Sequence, residues 1–300
     1  MRIAVPTNYA IPDIKGPYFS DIEWITKTFR RLRESGFRVL DWSSCDFARV
    51  FTSPGDTYLV RDGWEEFGHL LLEAAESQGM MFNQSHGLIF NPFDGSEQSE
   101  FLSGIEQRVV KVCSILGIKY IVKHPSIPPY ADDWNGKEAY DANADYFRKQ
   151  ADLAGQYGIN MVLENSFDLQ GRKKINNSPE SLLELANRIN RSNIRICLDV
   201  GHAHLMGEDL AESCRKYGSL LACLHIHDND GTRDQHRMPL HGTINWGSLF
   251  DGLKSIDYKG DFTLEVHPVL KASDRLRKHQ EREAYMVCED LILQHGFTTE

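Results

Sequence analysis

One pattern recurs along the whole chain and limits what it can fold into: a polar amphipathic stretch, a glycine-containing break, then a short apolar or β-branched run ending in a polar residue. Ser35-Gly36 precedes Phe37-Arg38-Val39-Leu40-Asp41, Gln78-Gly79 precedes Met80-Met81-Phe82-Asn83, and Leu116-Gly117 precedes Ile118-Lys119-Tyr120-Ile121-Val122. Tyr157-Gly158 continues the series before Ile159-Asn160-Met161-Val162-Leu163. The runs at Ile194-Arg195-Ile196-Cys197-Leu198, Leu220-Leu221-Ala222-Cys223-Leu224 and Asp261-Phe262-Thr263-Leu264-Glu265, with the N-terminal Ile3-Ala4-Val5, bring the number to eight. Between them lie segments of helical spacing, such as Leu182-Leu183 with Ala186 and Ile189, where Ser178-Pro179-Glu180 reads as an N-cap with proline in the first turn. Strands separated by helices need crossover connections and therefore run parallel. Eight such units predict an α/β fold, a single (β/α)8 TIM barrel filling residues 1–300 as one domain. An open doubly wound sheet is the runner-up, but no G-x-G-x-x-G follows the first strand.

The bulk numbers agree with one soluble enzyme-sized unit. Of the 300 residues 41% are apolar and 25% charged, and no apolar run approaches the roughly 20 residues that span a bilayer. The start, Met1-Arg2-Ile3-Ala4-Val5-Pro6, reads as a strand rather than a secretory signal, so the expected location is cytoplasmic and no membrane partner is expected. Six scattered cysteines without a C-x-x-C pair argue against disulfides and a thiolate zinc site. A net charge of -10 repels polyanions, so nucleic acid is not an expected partner; a homo-oligomer is compatible with the sequence.

Chemistry concentrates where the strands end. His86, His124, Glu164, Asp199, His227 and Glu265 each close one of six consecutive strands, and in a barrel all six ring one mouth. Carboxylates brought that close push one another's pKa upward unless a cation compensates them. Two glutamates, an aspartate and a histidine suit one divalent ion, manganese, cobalt, magnesium or zinc, with the oxygen majority favouring the harder ions. His225 and His227, two apart on a strand, face the same way, and His225 lies one layer deeper. The expectation is that His227 is the ligand and His225 a buried hydrogen-bonded residue.

These residues resemble the xylose-isomerase-like barrels, a family of sugar and sugar-phosphate isomerases and epimerases that also includes endonuclease IV. The resemblance covers most of the chain and rests on Leu163-Glu164-Asn165, Leu198-Asp199-Val200-Gly201-His202, His225-Ile226-His227-Asp228-Asn229-Asp230 and Leu264-Glu265-Val266, the D-x-x-H after the sixth strand being its most specific element. It implies Glu164, Asp199, His227 and Glu265 as metal ligands in the ketose 3-epimerase branch, with His202 and Arg233 on the substrate. Similarity to endonuclease IV implies instead three zinc ions: on His86, His124 and Glu164; on Glu164, Asp199, His227 and Glu265; and on His202, Asp234 and His236. His86 and His124 then bind substrate or a second metal, and Asp234 and His236 an additional one.

The mouth loops tilt the reading towards a small carbohydrate substrate. A DNA-repair enzyme needs basic loops, whereas Asn91-Pro92-Phe93-Asp94-Gly95, the 127–134 stretch with Trp134, and Ser166-Phe167-Asp168-Leu169-Gln170 are aromatic, acidic or neutral. Arg172-Lys173-Lys174, the one basic cluster on this face, reads either as a phosphate holder or as a solvated patch. The loop from Gly231 to Trp246 resembles a sugar-isomerase loop, with departures at His241 and Asn245. The expected reaction is isomerisation or epimerisation of a sugar or sugar phosphate: the metal polarises a carbonyl, and Glu164 and Glu265 act as base and acid through an ene-diolate. The alternatives are an endonuclease IV-like phosphodiesterase on abasic DNA with more than one zinc, and an inosose dehydratase-like lyase.

Overall fold

The computed structural model describes residues 1–10, 22–47, 57–129, 136–168, 174–266 and 273–299. Its strands are β1 (Ile3–Pro6), β2 (Val39–Ser43), β3 (Met81–His86), β4 (Tyr120–Lys123), β5 (Asn160–Glu164), β6 (Ile194–Asp199), β7 (Leu221–His225) and β8 (Phe262–Thr263). Each is followed by a principal helix: α1 (Ile22–Ser35), α2 (Trp64–Glu76), α3 (Glu97–Ile115), α4 (Lys137–Gly155), α5 (Pro179–Ile189), α6 (Leu210–Tyr217), α7 (Trp246–Ser255) and α8 (Asp274–Gln294). The strands pair in parallel in the order β7-β6-β5-β4-β3-β2-β1-β8. A parallel bridge between Ile226 and Leu264, just past β7 and β8, brings the two edges together, so the eight strands form a nearly closed barrel. The expected (β/α)8 barrel is the fold observed.

Alternation along the strands sorts side chains to two sides. Met161, Leu163, Ile196, Leu198, Leu224 and Leu264 belong to the large apolar layer between sheet and helices, where Phe29, Phe37, Phe147 and Phe250 are fully buried. At about 1.5–3 kcal/mol per buried large apolar side chain, this layer is the main source of stability. Their neighbours Val122, Val162, Cys197 and Cys223 form a separate small cluster inside the barrel. The next residues on that inner side are Glu164, Asp199 and His225, so the same period of two that builds the floor of the barrel delivers ionisable groups to its mouth.

Local signals start the helices. Ser178 accepts from the Ser181 amide with Pro179 in the first turn, and Ser96 and Ser273 cap α3 and α8 in the same way. Asn245 caps α7 by accepting from the Ser248 amide, a task asparagine performs as well as aspartate, while His241 sits exposed in the preceding turn. All six cysteines are free and buried. Among the described residues, no helix is long and apolar enough to cross a membrane.

Candidate metal and active site

His86, Glu164 and Asp199 are the last residues of β3, β5 and β6; His124 lies one residue past β4, and His227 and Glu265 two residues past β7 and β8. All six meet at the carboxyl ends of the strands, in overlapping groups. In the first, His86 Nε2, His124 Nε2 and Glu164 Oε2 lie mutually within 3.8 Å, the two rings being 3.2 Å apart at nitrogen. In the second, Glu164, Asp199, His225 and Glu265 can each present one donor atom to a common point. His225 Nδ1 lies 3.1 Å from Glu164 Oε1 and 3.3 Å from Glu265 Oε2. The third joins His202, His227, Asp234 and His236, in which Asp234 Oδ2 is 2.9 Å from His236 Nε2 and 3.6 Å from His202 Nε2. His227 links the second and third groups: its Nε2 is 3.0 Å from both Asp199 oxygens, and its ring stacks on His236 at 4.1 Å.

The pair of histidines thus divides differently from the sequence expectation. His225 is fully buried, neither of its ring nitrogens has a hydrogen-bond partner, and it sits between the two glutamates instead of being tied off below them. His227 stands with Asp199 but faces the Asp234 group.

The scaffold around these groups fixes their direction. His86, His202 and His236 each place Nδ1 on a backbone carbonyl, those of Gly87, Asn165 and Glu265, at 3.0, 3.0 and 2.7 Å. A carbonyl only accepts, so Nδ1 carries the proton and Nε2 points into the site. Asn165 spans β5 and β6, accepting from the Asp199 amide at 2.7 Å and donating to its carbonyl at 2.9 Å. Asp41 accepts from the His86 amide at 3.0 Å, and Asn176 donates to the Glu164 carbonyl at 2.8 Å. Neither supporting role was legible in sequence: Asp41 acts on a strand 45 residues on, and Asn176 folds back across its own loop onto Glu164. Gly201 is required by packing: a Cβ there would collide with the His227 ring.

Burial alone would raise the pKa of Glu164, yet His124, His225 and His86 hold it well below the usual carboxylate range. Asp234 is likewise held down against burial by His202 and His236. Burial lowers His124 to about 4 in spite of Glu164, so this ring is neutral near pH 7. His202 rises to about 9 despite burial, through Asp199 and Asp234, and His236 to about 10, through Asp234. Protons on imidazoles therefore compensate the buried carboxylates, the part a divalent cation takes when it displaces them.

The residues fit such an ion. Both Glu164 oxygens, Glu265 Oε2, Asp234 Oδ1, both His225 nitrogens and His227 Nδ1 are buried without a hydrogen-bond partner, a cost that native structures rarely carry unless a ligand meets it. Mixed carboxylate and imidazole donors without thiolate suit an exchangeable divalent ion. Arg233 is exposed on the loop after β7 and has no ion-pair partner among the described residues. Phe167 packs against His202 at 5.0 Å. Trp134, Arg172, Lys173 and His267 lie outside the described residues.

A family model described as a xylose isomerase-like TIM barrel matches residues 29–282. The chain belongs to that family. An uncharacterized protein of Methanocaldococcus jannaschii, MJ1311, is 31% identical over 173 residues, covering 55% of this chain and 58% of the relative. The inosose isomerase of Bacillus subtilis is 24% identical over 186 residues, covering 60% and 64%. The chain thus spans less than two thirds of the length of these two curated relatives. The crystal structure of the IOLI protein with a bound zinc atom, 19% identical, superposes with a TM-score of 0.74 over 98% of this chain and 99% of that one, a likeness of fold. Sugar isomerases and epimerases are among the family relatives of this chain.

Proposed function

We propose that this protein is a divalent-metal-dependent isomerase or epimerase of a ketose, a ketose phosphate or a related polyol ketone. The observation that carries the reading is the pair of glutamates, Glu164 and Glu265, which arrive from β5 and from beyond β8 on either side of His225 and leave three buried carboxylate oxygens without a hydrogen bond. Membership of a family that contains sugar isomerases supports it. Glu164, Asp199 and Glu265 would hold the ion, with His225 completing the set by distance and His227 by sequence. When bound, the ion supplies Lewis-acid polarisation of a carbonyl and its neighbouring hydroxyl.

The protein's own groups perform the rest. One glutamate would remove the proton from the carbon next to the carbonyl, giving a planar ene-diolate, and the other, after taking a proton from solvent, would return it on a different side of that plane. Return to the opposite face of the same carbon inverts it; return to the adjacent carbon, with the hydroxyl proton passing to the former carbonyl oxygen, moves the carbonyl. His202 and Arg233 would hold substrate oxygens, and neutral His124 with His86 would do the same at the other side of the mouth. The His202, His227, Asp234 and His236 group would hold a second ion. The acidic and aromatic loops give no support to a DNA substrate.

Metal analysis of the purified protein, followed by turnover of ketoses and polyol ketones in heavy water, tests the reading. Deuterium is expected at the carbon next to the carbonyl, with metal-dependent turnover. Product that forms at full rate in chelator overturns the metal role. Product free of solvent deuterium at every extent of reaction, together with near-normal turnover of Glu164→Gln and Glu265→Gln, overturns the proton abstraction.

A further inference from the structure

Lys174 returns the chain to the exit of β5 and is built into place there. Its amide and the Asn177 side chain both donate to Asp168 Oδ1, at 3.0 and 2.8 Å, while the Ser166 amide donates to the Asn176 carbonyl at 2.7 Å. The two arms of the loop are thereby joined just beyond Glu164. The Lys174 ammonium donates to Ser166 Oγ at 2.8 Å and lies 5.5 Å from the centre of the Phe167 ring, whose other neighbour is His202. Among the described residues Ser166 is its sole hydrogen-bond partner, and no carboxylate pairs with it. Burial lowers its pKa, opposed by the fields of Glu164, Asp168 and Asp234.

A half-buried ammonium with two N–H donors to spare and no carboxylate in direct contact is a charge open to an anionic ligand. Several other lysines of the described residues do pair with a carboxylate: Lys123 is buried against Glu106, Lys137 pairs with Asp141 and Lys216 with Glu180. We infer that Lys174 binds an oxyanion, a carboxylate or a phosphate, on the end of the substrate remote from the carbonyl, so that the preferred substrate is an anionic keto sugar. This rests on the ketose reading above and narrows its substrate class. Phe167 would flank the apolar face of the same carbon chain.

The test uses three ligands that differ only at the sixth carbon: D-fructose, its 6-phosphate, and the keto acid D-fructuronate, each titrated calorimetrically into metal-loaded protein. One or both anions are expected to bind at least tenfold more tightly than D-fructose at low salt. Lys174→Met should abolish that preference with metal content unchanged, and Lys174→Arg should restore part of it. Which anion wins tells a carboxylate substrate from a phosphate. Equal binding of all three, or an anion preference untouched by Lys174→Met, overturns the subsite and leaves the ketose reading standing. Loss of metal in Lys174→Met also overturns it, since the lysine then only supports the loop. Sulfate separates the remaining case. If no sugar binds but sulfate binds in a Lys174-dependent way, the oxyanion site survives and the ketose falls; if sulfate too is indifferent to Lys174, the subsite falls.

Discussion

Glu164 is the residue on which most of the site converges, because its two oxygens face different imidazoles, Oε2 towards His86 and His124 and Oε1 towards His225. Replacing it or Glu265 by glutamine keeps the shape and removes the basic oxygen. Each variant is expected to lose about 10²–10⁴-fold in turnover at saturating metal, measured as initial rates over a metal titration. Asp199→Asn should weaken metal binding by more than tenfold with the barrel intact by circular dichroism. The two histidines then part company: His225→Ala is expected to weaken the ion shared by the glutamates, and His227→Ala the ion of the Asp234 group. The reverse pattern would make His227 the ligand, as the resemblance of His225-Ile226-His227-Asp228 to the family motif implies. A different residue offers a pH test away from the site. Burial pushes Glu208 up to about 7, because Oε1 has no partner and Ser213 satisfies only Oε2. An acid raised above its unfolded value near 4.5 destabilises the fold as pH rises from about 4.5 to 7. Glu208→Gln should therefore stabilise by about 1 kcal/mol at pH 8, allowing for partial exposure, and by almost nothing at pH 4.5. Equal melting shifts at both pH values would refute the assignment.

Among the elements, α6 and α7 show how little room the outer layer leaves. A Cβ on Gly252 would lie 2.7 Å from Ala211 Cα and 2.8 Å from Cys214 Cβ. Helix propensity alone predicts that Gly252→Ala stabilises by about 1 kcal/mol, whereas overpacking predicts a loss of about 1–3 kcal/mol. The loss is expected in urea unfolding, and a gain would mean that the two helices separate freely. Strands and helices were legible from the sequence because each carries its own signal, a β-branched run after a glycine break or a capped apolar stripe. That His86, His124, Glu164, Asp199, His227 and Glu265 meet at one mouth was legible too, since strand ends in a parallel barrel share one face. Contacts between strands were not: nothing local tells that Asn165 fastens β6, that Asp41 holds the His86 amide, or that His225 rather than His227 stands between Glu164 and Glu265. The Asn245 departure, by contrast, has a local meaning visible only once α7 is seen to start there.

At the scale of the whole molecule, closure is uneven. Neighbours such as β2 and β3 or β4 and β5 share four or five registered residue pairs, but β8 shares two with β1 and meets β7 through the single Ile226–Leu264 bridge. Two hydrogen bonds of 2.8 Å, Ile226 amide to Thr263 carbonyl and Glu265 amide to Ile226 carbonyl, hold that edge. Across it face His225 and Glu265, and the His236 ring reaches the Glu265 carbonyl from the loop after β7. Amides at 226 and 264–266 are expected to exchange with solvent faster than those of β5 and β6 in chelator, and to slow when metal is restored. Indifference of those amides to metal would detach the edge from the site. The barrel is in this sense a hoop left unsoldered at one point, and the proposed ion is the clasp. Its grip would be set by mass action, so the temperature at which the hoop springs open should climb with free metal concentration well beyond the point where every site is filled.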